Sequence, residues 1–339
     1  MRFLGYAIRR LLWVIPVLLG VTLITFLLTR VLPGNPIDRV AGPFASAEQK
    51  AEMMREARLD LPVIQQFSLY VRDLVVHGDL GVSYSTARPV AQDLWERLPI
   101  SLELTTLGML LAIVLALPLG IASAVAKDTW VDQLGRVVSV IGVSMPIFWL
   151  GLILLQVFFV KLGVAPAPLG RLATSLIEPE RITGWLLIDS ALVGDWAVFR
   201  SAAAHLALPV VIVAFTALAP LARMTRSSMI DALESDYIRT ARALGLPTRV
   251  IIFQHALKNA LIPILTMIAG VFGYALGGEV LVELVFAWPG LGTYSYNAIL
   301  ASDFPAIQGF ILLITLFYVL IYLVVDLLIA AIDPRVEYA

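Results

Sequence analysis

An all-α, polytopic membrane protein with six spanning helices is the fold class this sequence predicts, and three observations predict it. The 339 residues are 60% hydrophobic and only 14% charged. Their mean hydropathy of +0.89 is too apolar for the surface of a soluble domain of this size. Six windows hold no Asp, Glu, Lys or Arg: Leu11–Thr29, Leu104–Ala126, Val137–Val160, Ser201–Ala222, Asn259–Gly278 and Phe304–Val325. Each approaches or exceeds the ~20 residues that cross a ~30 Å hydrocarbon layer. With a cytoplasmic N-terminus, 12 Lys and Arg fall in the 63 residues of the inner segments and 12 in the 139 of the outer ones. That twofold density obeys the positive-inside rule and sets both termini in the cytoplasm.

The first window follows Arg9-Arg10 and runs into Arg30-Val-Leu-Pro-Gly34 with no small-x-small cleavage site. It is longer than a secretory apolar region, so it reads as a retained helix. Residues 1–30 are then a tail and first span, and 31–103 an outer cap. Residues 104–339 are the membrane core, with an outer insert at 161–200 and an inner excursion at 223–258. In the cap, Ser46-Ala-Glu-Gln49 offers a capping box to a helix running toward Leu59. An amphipathic helix over Val63–Val76 follows Pro62 and ends at His77-Gly-Asp-Leu-Gly-Val-Ser83. Such a cap suits a lid on the membrane core or a docking surface for an outer partner. In the insert, Ile182–Ile188 is an apolar island too short to span, expected against the membrane surface or the cap.

Pro16, Pro118, Pro146, Pro209, Pro220 and Pro263 interrupt the spans, each removing a helix donor. The sharpest bend is expected in Ile141-Gly-Val-Ser-Met-Pro-Ile-Phe-Trp149, where Met145 and Pro146 serve packing or line a path that opens and closes. Glu279, Glu283 and Asp326 border or enter the membrane, where a carboxylate normally faces protein or water. Glu279 and Glu283 are four apart and share a helix face, fit to attract a cationic group of a substrate or a basic residue of a neighbouring chain.

Balanced charge, 24 Lys and Arg against 25 Asp and Glu, gives no field for nucleic acid. The absence of cysteine removes disulfides and thiolate chemistry. His77, His205 and His255 are too scattered for a metal motif. No GxxxxGK[ST] loop occurs, so the chain has no ATPase site of its own, and no GxSxG, HExxH or paired intramembrane aspartate points to an enzyme.

The inner excursion breaks the apolar pattern. Ser235 can cap a helix with Asp236 in its first turn and Arg239 and Arg242 later, stopped by Gly245 and Pro247. Tyr237, Ala241 and Leu244 fall at i, i+4 and i+7, an apolar stripe on a helix too short to stand alone. The stripe needs either the lipid interface or a groove on a cytoplasmic partner.

Asp236-Tyr-Ile-Arg-Thr-Ala-Arg-Ala-Leu-Gly245, followed by His255-Ala-Leu-Lys-Asn-Ala-Leu-Ile-Pro263, resembles the cytoplasmic motif of ABC importer permeases in their dipeptide/oligopeptide (peptide/nickel) form. Further landmarks are Arg9-Arg10, Leu32-Pro-Gly-Asn-Pro36, Gly78-Asp-Leu-Gly-Val-Ser83, Ser144-Met-Pro-Ile-Phe-Trp149, Arg223-Met-Thr-Arg-Ser-Ser-Met229, Glu283-Leu-Val-Phe-Ala-Trp-Pro-Gly-Leu-Gly292 and Asp333-Pro-Arg335. In order and spacing they extend the resemblance over nearly the whole chain, and Gly184-Trp-Leu-Leu-Ile-Asp-Ser190 resembles the dipeptide branch. Arg239, Thr240 and Ala241 stand where the general motif has Glu-Ala-Ala, and His255-Ala-Leu-Lys258 replaces its Ile-x-Leu-Pro ending, as in the peptide-type variant.

The resemblance implies a type I ABC importer permease fold whose coupling helix, from Ser235 to Gly245, meets an ATPase through Asp236, Tyr237, Arg239, Thr240, Ala241, Arg242, Leu244 and Gly245. It implies a second homologous permease subunit, two ATP-binding cassette subunits that hold ATP and Mg, and an extracytoplasmic solute-binding protein. No cofactor is expected on this chain. Short peptides, dipeptides foremost, are the expected substrates, with glutathione or a nickel chelate as alternatives and an ion-coupled secondary transporter as the rival class.

Overall fold

The computed structural model describes residues 2–31, 46–56 and 58–332. The landmarks Leu32–Pro36 and Asp333–Arg335 lie outside them. The described residues form helices joined by turns and irregular segments, the longest at 162–185, with one isolated bridge between Val82 and Pro89. Helices α1 (Arg2–Val31), α4 (Val90–Val125), α8 (Trp196–Leu233), α10 (Leu257–Gly278) and α13 (Phe304–Ile332) supply the long apolar elements, with the shorter α11 (Val280–Val285) and α12 (Leu291–Ala301) between the last two. Among the described residues, with the turns from Thr248 joined to α10, five helices are long and apolar enough to cross a membrane, and a bent pair makes a sixth if counted as one broken span.

That pair falls in the third window, and its break lies within Ile141–Trp149, where the sharpest bend is expected. Helix α5 (Trp130–Ser144) ends at Met145, and α6 (Ile147–Leu154), with a π-helical turn over Leu155–Lys161, leaves at 97° to it. Met145 (φ −89°, ψ 124°) and Pro146 (φ −60°, ψ 131°) are both extended. Proline has no N–H to give the preceding turn and pushes the residue before it out of the helical region.

Helices α4 and α8 run 36 and 38 residues, well beyond their apolar windows, and form the spine of the fold. Small residues let them approach. Ala112, Ala116, Ala214, Ala217 and Ala222 are buried together, and a Cβ on Gly108 would overlap Val213, one on Gly120 would overlap Thr225. Without a hydrophobic drive between helices in lipid, such close backbone packing is a principal source of association. Helix α10 lies between α8 and α13, α1 lies on α13, and α5 on α8.

The capping box of the cap segment is present: Ser46 N donates to Gln49 Oε1 at 2.9 Å and Gln49 N to Ser46 Oγ at 3.1 Å. It starts α2 (Ala47–Glu56), and α3 (Val63–His77) ends at Gly78 with φ +64°. In the insert, the apolar island opens α7 (Leu186–Val193) and lies against the first turns of α4 and against α8. Arg181 donates to the carbonyls of Trp95 and Glu96 at 3.2 and 2.8 Å. Glu103, fully buried on α4, accepts from Leu186 N and Leu187 N at 3.1 and 2.9 Å and pairs with buried Arg171 at 2.8 Å. It thus serves as the anion at the α7 N-terminus.

Candidate functional site

At one end of the bundle α8 runs on to Leu233, α9 (Asp236–Ala243) turns across it, and the chain returns through Pro247 into the turns leading to α10. On either side of α9, residues 223–233 continue α8 and residues 248–258 lead helically into α10, since neither stretch contains a helix breaker. Ser235 has the extended backbone of a helix N-cap, but its hydroxyl donates to Ala232 O at 2.5 Å. This corrects the expected side-chain cap: the hydroxyl closes α8 instead of opening α9, because the tight α8–α9 corner brings the Ala232 carbonyl, which also accepts from Ser235 N at 3.2 Å, within its reach. At the other end Gly245 takes φ +73°, and Leu246 N donates to Ala241 O at 3.2 Å, the αL termination that glycine favours.

The expected apolar stripe divides in two. Ile238 and Ala241 are buried in a cluster with Met229, Ile251, Ala256 and Ile264, whereas Tyr237 is 42% and Leu244 75% exposed. Helix α9 thus has an inner face that fastens it to α8 and to the start of α10, and an outer face of Tyr237, Thr240 and Leu244. Asp236, Arg239 and Arg242 are exposed around that outer face. Asp236 and Arg239 meet at 3.0 Å, but both are so exposed that the pair adds little. Tyr237 Oη accepts from Asn259 Nδ2 at 2.9 Å, tying α9 to the first turn of α10. A π-helical turn over Ile251–Ala256, holding His255, joins that region to α9.

A network near this end was missed from sequence. Asp132 is fully buried and accepts from Arg226 Nε at 2.5 Å and Nη2 at 2.8 Å and from Arg136 Nη2 at 2.7 Å. Lys127 meets Glu234 at 2.6 Å. Both ion pairs tie the α4–α5 corner to the last turns of α8, just before α9. Their partners are about a hundred residues apart, so the only signal in the sequence was Arg226 recurring on a helix that continues from an apolar span.

The second group lies toward the other end. Glu279 and Glu283 both face α4, as their four-residue spacing predicts, but among the described residues no basic side chain meets them. Ser101 Oγ donates to Glu283 Oε1 at 2.6 Å and Thr293 N to Glu283 Oε2 at 2.8 Å. Thr105 Oγ1 lies 3.3 Å from Glu279 Oε2. Ser101 and Thr105 are also four apart on α4, a matched spacing missed from sequence. Glu279 Oε1 is buried without a hydrogen-bond partner. Gly290 and Gly292, from the Trp-Pro-Gly-Leu-Gly stretch, allow the wrap: a Cβ on Gly290 would overlap both Glu283 and Ser101.

Glu279 also lines a cavity of about 240 Å³ between α6, α8 and α10, bounded by Ile147, Pro220, Met267 and Tyr274. The fold therefore brings Glu279 and the residue that follows Pro146 to one void, and leaves Glu283 outside it.

A bundle of long apolar helices with an amphipathic crossing helix at one end defines an integral membrane subunit built to meet a partner beyond its own spans. The chain belongs to the family described as binding-protein-dependent transport system inner membrane component, which matches residues 116–338, and the family's N-terminal component matches residues 1–105. It is 42% identical to the dipeptide transport system permease protein of Alkalihalophilus pseudofirmus, over 99% of this chain and 100% of that one. It is 45% identical to the probable D,D-dipeptide transport system permease protein of Escherichia coli, over 94% of each. The glutathione transport system permease protein of Salmonella paratyphi A is 38% identical over 99% of each.

Proposed function

We propose that this chain is the membrane-spanning permease subunit of an ATP-driven importer of short peptides, with dipeptides as substrates. The observation that carries the reading is the two-faced helix α9. Its inner residues Ile238 and Ala241 bind it to two spanning helices while its outer residues Tyr237 and Leu244 remain uncovered, as helix-in-groove docking to a nucleotide-hydrolysing partner requires. The relatives named for dipeptide transport support the substrate class.

In this reading the chain crosses the membrane six times, with the α5–α6 pair as one broken span and both termini in the cytoplasm. Helix α9 is the coupling helix, and Asp236, Tyr237, Arg239, Thr240, Arg242 and Leu244 face the ATPase. ATP and Mg bind to two cassette subunits, a second permease completes the path, and a solute-binding protein delivers substrate to the outer cap. Closure of the cassettes pushes α9, and the push passes through α8 and α10 as a rigid-body tilt that alternates access. A second reading, glutathione import, rests on the relative of that name.

The test is reconstitution with the cassette subunits, second permease and binding protein encoded beside this chain. ATP-dependent uptake of a labelled dipeptide is expected. Uptake that proceeds without cassette subunits, or none with all parts present, overturns the reading.

A further inference from the structure

Two carboxylates of similar sequence setting have different local chemistry. Both oxygens of Glu283 are hydrogen-bonded, at 2.6 and 2.8 Å. Glu279 has one oxygen 3.3 Å from the Thr105 hydroxyl and another with no partner, on a side chain more than nine-tenths buried. A buried polar group without a partner is costly and calls for an explanation. The residue borders a void of about 240 Å³, room for about eight water molecules at ~30 Å³ each.

The walls of that void are chemically simple. Helix α8 contributes Thr216, Ala217 and Pro220, α10 contributes Met267, Gly270, Val271, Tyr274 and Ala275, and α6 contributes Ile147. Apart from the Thr216 and Tyr274 hydroxyls these side chains are apolar, and no Lys or Arg lines the space. An apolar pocket with one acidic oxygen in want of a donor suits a ligand with an apolar body and one cationic N–H group. The outer torsion of a glutamate is soft, so the unpartnered oxygen turns into the void at little cost.

The position also suits passage. Ile147 directly follows Pro146 at the 97° break, and α8 and α10 are the two helices to which α9 is fastened. A change in the α5–α6 bend or in the α8–α10 angle alters the same void.

We propose that Glu279 is a binding residue of the translocation path, and that it accepts the ammonium group of a peptide's free N-terminus while the cavity of α6, α8 and α10 holds the adjoining apolar side chain. This rests on the importer reading above, and it adds the substrate group recognised within the membrane.

The experiment compares an unmodified dipeptide with its N-acetylated form in proteoliposomes carrying the full assembly. Binding protein is loaded to saturation with either peptide, so that the maximal rate reports the membrane step and not capture. Wild type is expected to move the free-amine peptide about 10- to 100-fold faster, the scale of a charge-assisted hydrogen bond. Glu279→Gln is expected to collapse that ratio toward one, and Glu279→Asp to retain most of it. A merely structural role would slow both peptides alike and leave the ratio standing, which overturns the proposal. Equal wild-type rates for the two peptides overturn it without any variant, should Glu279→Gln fail to assemble. No uptake of either peptide removes the importer reading and this inference with it, so the two failures are distinguishable.

Discussion

Ser101 Oγ donates a 2.6 Å hydrogen bond to Glu283 Oε1 and accepts one of 2.8 Å from Leu291 N, so a single hydroxyl joins three segments across 190 residues of chain. Loss of the hydroxyl leaves a buried carboxylate oxygen and a buried N–H together, at about 1–3 kcal/mol each. Ser101→Ala is expected to lower the unfolding temperature of the detergent-purified subunit by several degrees. Gly290→Ala, which forces a methyl group into the same pair, is expected to do at least as much. Wild-type unfolding in both variants would show that the ladder contributes nothing.

Helix α9 separates fold from docking by residue. Ile238 is fully buried, and Ile238→Ala is expected to cost about 2–5 kcal/mol through its cavity and to unfasten α9. Leu244 is 75% exposed, so Leu244→Asp is expected to change stability by no more than about 0.5 kcal/mol while co-purification of the cassette subunits falls about tenfold. If Leu244→Asp retained its cassettes, the outer face would not be the docking face.

Gly245 stops α9 at φ +73° with open space around it. Gly245→Asp meets no clash, and strains only the backbone, by about 1 kcal/mol. Assembly is expected to survive while ATP hydrolysis proceeds without uptake. Fully coupled transport in Gly245→Asp counts against α9 as the transmission point.

Asp132 and Arg226 are coupled in a way a double-mutant cycle can read. Arg226→Met leaves the buried Asp132 carboxylate with Arg136 as its one arginine partner, whereas Asp132→Asn with Arg226→Met removes both charges of the pair. The single replacement is expected to be the less stable of the two. Additive effects would mean that the pair is incidental.

Asp189 sets an acid limit on the insert. Burial alone would raise its carboxyl, but hydrogen bonds from the Thr183 hydroxyl and from the Thr183, Gly184 and Ile182 amides outweigh burial and hold it below the usual range. A depressed folded value stabilises the ionised form, so the contribution is present above the unfolded value of ~3.9 and lost as pH falls through the folded one. Asp189→Asn is therefore expected to open the 161–200 segment to protease at neutral pH, and the difference from wild type to shrink in acid. A difference that grew on acidification would reverse the assignment.

Local features of the site were legible because short-range rules decide them. The capping box at Ser46–Gln49, the Met145-Pro146 break and the Gly245 stop each follow from backbone demands within a few residues. Ser235 shows the limit: its hydroxyl had two carbonyl or amide neighbours to choose between, and the angle of the α8–α9 corner made the choice. The stripe of α9 shows it again. Tyr237, Ile238, Ala241 and Leu244 are all apolar enough to be buried, and only the placement of α8 and α10 selects Ile238 and Ala241.

By itself the sequence determined that the chain is a helical membrane subunit, where its apolar segments lie, and which short polar helix interrupts them, because hydrocarbon leaves a backbone no partner but its own helix. The tertiary structure alone decided that Glu283 is satisfied by Ser101 and Thr293 while Glu279 is left with an unpartnered oxygen beside a void. Those partners come from α4 and from the first turn of the helix Leu291–Ala301, and hydrogen bonds between distant segments exist only once the helices have packed.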